Sequence, residues 1–319
     1  MPQDISGYDV GALLYCPANA HHTVAQAVAA ERLPRPFSLA LCLEDTVRAD
    51  ALAAAEQAVE QTLHDLTDAA RQETFYRPLT FVRVRSPEQL AQLGREYAAY
   101  RPLLTGFILP KFFLDTCADY CAVIRALQAE GLAYHYMPVF EAPSMIPLHT
   151  RHAALAEVKA QLDELRDCIL TIRVGGNDLC HVFGLRRDPG HTIYDLRPVA
   201  DVLTDLLTTF ATDYLVAGPV WEYYNGPGWA EGLAQECALD RLNGFVGKTV
   251  IHPKQIPIVN QSLQVSPADY ADANSILAWD DPCLVAPSAE GTRMNEYQTH
   301  FRWAQRVAAL GRRYGIQTR

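Results

Sequence analysis

The chain has 319 residues, 49% hydrophobic and 20% charged, with a formal net charge of −10. That length suits a single α/β barrel with a sizeable core. The acidic balance argues against nucleic acid or an anionic membrane surface as the main partner, though a local basic pocket could still take a small anion. No apolar stretch reaches the ~20 residues of a membrane helix. The opening MPQDISGYDV lacks a basic region followed by an apolar run, and the eight cysteines are scattered without a Cys-x-x-Cys pair. These features predict a cytoplasmic protein with reduced thiols and no membrane contact.

Apolar runs rich in β-branched and aromatic residues recur along the chain and read as strands at 11–17, 38–44, 79–85, 105–111, 134–141, 168–174, 214–220 and 244–251. Between them lie segments with helical apolar spacing, at 49–72, 87–100, 115–131, 152–167, 197–211 and 228–243. Eight strand–helix alternations predict parallel βαβ units closed into a (β/α)₈ TIM barrel with additional C-terminal helices. An open doubly wound sheet is the alternative, but the turn after its first strand is usually glycine-rich. Here it reads CPANAHH. Two further helices are expected near 267–280 and 294–314, with the turn-rich DDPCLVAPSAEGT between them as an ordered loop or hinge. The expected division is a barrel over 1–265 and a helical extension over 266–319 that covers the active site of its own or a neighbouring subunit.

Barrel enzymes carry their chemistry at the C-terminal ends of strands. The polar residues expected there are Glu44 and Asp45, Arg83 and Arg85, Lys111, Glu141, Asp178 and His252. Glu141 and Asp178 are hard oxygen donors on adjacent strand ends, a pair that suits Mg²⁺ completed by water and substrate. The alternative is a helix cap and a salt bridge, and the bend at Gly175 and Gly176 favours close approach to a ligand. Arg83 and Arg85 stand two apart on one strand, so both are expected to face the barrel interior. A buried arginine needs an anion: a substrate carboxylate, or Glu44 or Asp45 on the neighbouring strand. His252-Pro253 reads as a structural corner, His21 and His22 as solvated loop residues, and Trp221 to Tyr224 as pocket lining or packing. Cys180-His181 has no further ligands at zinc spacing.

The runs LEDTV (43–47), VRVR (82–85), ILPK (108–111), PVFEAP (138–143), GGNDLCHVFG (175–184) and GFVGKTVIHPKQI (244–256) resemble the citrate lyase β-subunit-like branch of the HpcH/HpaI aldolase superfamily. The resemblance covers nearly the whole chain, and its last motif is the most specific. It implies a TIM barrel, Mg²⁺ as cofactor, and making or breaking of a C–C bond beside a carbonyl, often on acyl-CoA thioesters of hydroxy acids. Carried over, Glu141 and Asp178 hold the metal. Arg83 binds the substrate carboxylate with Asp45 as a nearby polar partner; from their place at the strand ends, and not from the resemblance, Arg85, Lys111 and Glu44 are expected to contact the substrate as well. Glu296, after Met294-Asn295, corresponds to an acid that the family brings in on a C-terminal segment. A homo-oligomer, with a trimer favoured, is implied too.

Several positions depart from the family. Ala18-Asn19 with His21 and His22 stands where Gly-Asn and an arginine are usual. Arg85 replaces an asparagine, and Ala142-Pro143-Ser144-Met145 replaces Thr-Ala-Arg-Gly. The added arginine implies a more anionic or phosphorylated substrate. The expected function is a Mg²⁺-dependent aldol- or Claisen-type lyase for a small carboxylate-containing substrate, with a CoA thioester as candidate. Its general base is left open among Glu296, a water, His21 and His22. The alternatives are a phosphoenolpyruvate- or pyruvate-type lyase or mutase on a related barrel, and a non-catalytic metal-binding regulatory subunit.

Overall fold

The computed structural model describes residues 5–45 and 47–318, apart from the side chains of Ala20, His21 and His22. These residues form two compact units, Met1–Val259 and Asn260–Arg319.

The first unit holds eight parallel strands: β1 Ala12–Pro17, β2 Ser38–Cys42, β3 Thr80–Arg83, β4 Leu104–Leu109, β5 His135–Phe140, β6 Ile172–Val174, β7 Val216–Ala217 and β8 Lys248–Val250. Their order is β7-β6-β5-β4-β3-β2-β1-β8. A parallel bridge between Gly218 and Lys248 joins the two ends. The sheet is therefore the expected barrel, and each strand falls on an apolar run seen in the sequence. The helices are α1 His21–Ala29, α2 Leu52–Gln72, α3 Pro87–Glu96, α4 Cys117–Ala129, α5 Leu148–Asp163, α6 Gly176–Val182, α7 Arg197–Phe210, α8 Trp229–Asn243 and α9 Ile256–Leu263. The sequence reading had no helix at α1, α6 or α9. All three are short; α6 starts one residue after β6, and α1 follows β1 after a single turn at Ala18–Ala20.

Side-chain alternation divides the barrel interior into layers. Leu13, Ala40, Phe81, Met137, Val139 and Leu170 form a buried apolar cluster. Two residues further along come Tyr15, Cys42 and Arg83 in their strands and Glu141 just past the end of β5, all lining a cavity at the C-terminal end. The period of two that buries the first set thus also aims the second set inward.

β7 has two residues and β8 three, so their pairing is short. A buried charge network stands beside it. Lys248 Nζ meets Glu236 Oε1 at 2.9 Å and Asp240 Oδ2 at 2.7 Å. Arg187 Nε meets Glu236 Oε2 at 3.2 Å, and the Tyr194 hydroxyl donates to Asp240 Oδ1 at 2.6 Å. Each buried charge here has an opposite partner, the condition under which buried ions are tolerated.

A second network ties the end of α5 to the approach to β7. Asp163 accepts from Lys159 Nζ at 2.8 Å, Arg166 Nη2 at 3.0 Å and the Tyr214 hydroxyl at 2.7 Å. Burial alone would raise the Asp163 pKa, but these three donors win and lower it to about 2. A carboxylate depressed in the folded state adds stability above its ordinary pKa, and that stability is lost as pH falls through the folded value. With the side chain about a third exposed, D163N is expected to cost about 1 kcal/mol at pH 7 after screening. The gap between the two proteins should narrow as pH drops from 4 toward 2. Thermal melts across that window check this, and a constant gap would rule it out.

The second unit contains α10 Pro267–Leu277, a hairpin of β9 Val285–Pro287 and β10 Met294–Glu296, and α11 Tyr297–Tyr314. β9 falls in the stretch 280–292 expected as a loop, and β10 takes the first three residues of the stretch 294–314 expected as a helix; the two pair antiparallel. α10 packs on α11 at Gly311, where a Cβ would stand 2.4 Å from the Tyr270 ring. Arg293 joins Asp269 and Asp272, each at 2.7 Å, and lies over Trp303.

Candidate active site

The cavity holds about 420 Å³ and lies at the strand ends where barrel chemistry was expected. Arg83 is its hub. Its Nη2 meets Glu44 Oε2 at 2.7 Å, Glu141 Oε1 at 2.8 Å and Asp45 Oδ2 at 3.5 Å. Its guanidinium also lies 5.8 Å from the Tyr15 ring centroid. Lys111 Nζ braces the same acids, at 2.7 Å from Glu44 and 3.4 Å from Asp45. Lys111 takes a left-handed backbone, φ 51°, and its N–H donates to Glu141 Oε1 at 3.1 Å. This uncommon conformation for a residue with a side chain is held by the carboxylate it serves.

Glu141 is 2% exposed. Burial raises its pKa to about 7, helped by the charges of Asp178 and Glu44 and opposed by Arg83. Burial also raises Asp178, whose carboxyl comes within hydrogen-bonding reach of Glu141. Asp178 is carried in the first turn of α6, directly after Gly175-Gly176. The glycine is needed: a Cβ at Gly175 would fall 2.0 Å from Glu141 Oε2. Two acids crowded together and reluctant to ionise suit a divalent cation, which would neutralise both. Among the described residues no group of three or more His, Cys, Asp or Glu side chains is placed to hold a metal. A two-carboxylate site therefore fits Mg²⁺, which keeps several waters, and does not fit a structural zinc.

The structure brings together Asp45, Arg83, Glu141 and Asp178 in the cavity lining. Glu44 and Lys111 do not line it and instead position Arg83 and Asp45. Arg85 departs from expectation. β3 ends at Arg83, so the strand parity no longer holds two residues later, and the Arg85 guanidinium donates to the Val47 carbonyl. Glu296 belongs to the second unit, where it precedes α11 and accepts from Thr299 Oγ1 at 3.1 Å. The side chains of His21 and His22 lie outside the described residues.

His252 forms the expected corner, its Nδ1 accepting from the Lys254 N–H at 3.1 Å and its ring stacked on Tyr224. Trp221 is packing: it is fully buried, with Nε1 donating to the Trp229 carbonyl. Cys180 is a free, buried thiol. Of the stretch Trp221 to Tyr224, Glu222 does line the cavity; sequence reasoning missed Tyr15, Arg173, Asn177, Arg186 and Thr249, which line it too. For Arg173 the signal was available: a charged residue flanked by Ile172 and Val174, as Arg83 is by valines.

A family described as C–C bond lyase of the TIM-barrel fold matches residues 4–316. The chain belongs to that family. A (3S)-malyl-CoA thioesterase of Cereibacter sphaeroides is 36% identical over 105 residues, 33% of this chain. The matched stretch spans only about a third (34%) of that relative's length. Among solved structures, CitE of Mycobacterium tuberculosis, in complex with magnesium, acetoacetate and coenzyme A, superposes with a TM-score of 0.62 at 23% identity, covering 97% of this chain and 99% of that one. RipC of Yersinia pestis gives a TM-score of 0.55 at 15% identity, covering 83% of this chain and 99% of that one. At these identities the structural likeness speaks for the fold. Among the described residues, no helix is long and apolar enough to cross a membrane.

Proposed function

We propose that this chain is a Mg²⁺-dependent carbon–carbon lyase of the aldol or Claisen type. Its substrate is a small carboxylate-bearing molecule, with an acyl-CoA thioester of a hydroxy acid as the leading candidate. The observation that carries this reading is the Glu141–Asp178 carboxyl pair beside the buried guanidinium of Arg83. The family supports the reaction class, and the malyl-CoA thioesterase likeness supports a thioester.

Glu141 and Asp178 would hold Mg²⁺, which when bound supplies positive charge where negative charge develops as the C–C bond breaks. Arg83 orients the substrate carboxylate and adds a second fixed positive charge. Its Nε is buried with no acceptor among the described residues, so it keeps a donor free. Glu44 and Lys111 hold Arg83 and Asp45 in place, so the charged groups need little rearrangement during reaction. A base must take the substrate's hydroxyl proton. Asp45, half-exposed at the cavity, is the candidate on the barrel. The protein would act as a homo-oligomer in the cytoplasm, trimeric by analogy with the family.

A thermal-shift screen tests this reading, using Mg²⁺ with acyl-CoA thioesters, free 2-oxo acids and phosphorylated acids in parallel. A ligand at a hundredfold excess over its Kd stabilises by about 2.7 kcal/mol. Mg²⁺-dependent stabilisation by malyl-CoA, followed by release of glyoxylate and acetyl-CoA, is expected. Release of malate and free CoA instead would make the chain a thioester hydrolase, and no Mg²⁺ dependence with any ligand would end the metal reading.

A further inference from the structure

Four arginines are buried among the described residues: Arg83, Arg151, Arg173 and Arg187. Three of them have an acid. Arg83 meets Glu44 and Glu141, Arg151 meets Asp205, and Arg187 meets Glu236. Arg173 has no carboxylate within ion-pair distance among the described residues. It is 2% exposed, and its Nη2 donates to the neutral Thr249 Oγ1 at 2.6 Å. Its Nε and Nη1 find no acceptor. The Tyr15 side chain is a hydrogen-bond partner of the guanidinium, and Arg83, of the same sign, acts on it. Elsewhere the fold pairs its buried charges, so an unpaired guanidinium is out of keeping with a structural role. Its place explains it: Arg173, Tyr15 and Thr249 all line the cavity that Glu141 and Asp178 also line.

We propose that the cavity takes a small dianion, whose second anionic group, a carboxylate or a phosphate, is received by Arg173 with Thr249 and Tyr15. The first group is the carboxylate assigned to the Arg83 end, so this inference rests on the proposed lyase reaction and narrows its substrate class from a hydroxyacyl thioester, whose acyl part bears a single carboxylate, to an acid with two anionic groups. The extra arginine that sets the charge of the substrate is thus Arg173 on β6, and Arg85 plays no part. Three N–H protons on Nε and Nη1 are free for the ligand, and a guanidinium matches either oxyanion.

Calorimetric titration in Mg²⁺ with succinate, 3-phosphonopropionate and butyrate tests this. The three share a short chain and differ in the second head group. Wild type is expected to bind at least one dianion about 10- to 100-fold more tightly than butyrate, the range of a charge-assisted hydrogen bond. Whichever dianion wins tells carboxylate from phosphate. R173M should bring that ratio to within about twofold while leaving butyrate affinity unchanged, and should leave the melting temperature of the ligand-free protein level or higher, since it removes an unpaired buried charge. R173K, in reserve should R173M misfold, should cut the preference at least about threefold by losing the planar fork. No preference in wild type, or a preference that survives in both variants, overturns the proposal. Selectivity is read in binding, so absence of lyase turnover with intact Arg173-dependent selectivity would count against the reaction and not against this site.

Discussion

D178N is expected to lose Mg²⁺ binding and Mg²⁺-dependent turnover while folding as well as the native chain. Asp178 is half-buried, and its neighbour Glu141 is of like charge. Removing one of two crowded carboxylates relieves repulsion, so metal-free stability should hold or rise. Metal affinity should move the other way. Even outer partners of metal ligands are worth about 10–100-fold in affinity, so a direct ligand should cost at least about 100-fold. E141Q should show the same loss of metal with a modest stability cost, because Glu141 is also an ion-pair partner of Arg83. Titration with Mn²⁺ followed by electron paramagnetic resonance reads affinity directly, and melts in chelator read stability. If D178N still bound metal at wild-type affinity, the two-carboxylate site would be wrong.

The second large effect is expected at Arg83. R83M leaves Glu44 and Glu141, 5% and 2% exposed, without their shared cation. Breaking a buried pair by deleting one partner costs about 3–5 kcal/mol, because an uncompensated charge stays behind. Lys111 still reaches Glu44 but touches Glu141 only through its backbone N–H, so the burden falls mainly on Glu141. The double variant R83M/E141Q should therefore recover a large part of the loss, and a double-mutant cycle measured by urea unfolding would show strong coupling. Simple additivity of the two single losses would mean that Arg83 matters for packing and not for charge. Activity should vanish in both cases, since Arg83 also orients the substrate in the proposed reaction.

Much of this was legible in the sequence, for a definable reason. Barrel strands announce themselves by apolar runs, and their C-terminal ends by the first polar residues that follow, which is how Glu141, Asp178, Arg83 and Asp45 were found. The errors came where one more fact was needed. Arg85 shares parity with Arg83 only if the strand continues, and β3 stops at Arg83. Arg173 was passed over because it sits inside its strand and not beyond it. Helices α1, α6 and α9 are too short for apolar periodicity to stand out against the loops around them. The strand pair within 285–296 was hidden by turn residues, since Pro287 and Gly291 fall within that stretch and Pro282 just before it. Glu44 and Lys111 were placed correctly in the chain, but a sequence does not tell a residue that touches substrate from one that steadies its neighbour.

The charge network on Lys248 has a consequence for how the barrel responds to its medium. Where β1 to β5 are joined along ladders of four or five residue pairs, β7 and β8 meet at a parallel bridge between Gly218 and Lys248, with Glu236 and Asp240 of α8 gripping Lys248 beside that seam. Electrolyte weakens attraction between charges that face water and barely touches those sealed from it. Lys248 and Glu236 are 1% and 0% exposed. This short joint of the barrel is thus fastened by an electrostatic clasp that concentrated salt leaves closed, while the exposed ion pairs on the outer helices loosen around it.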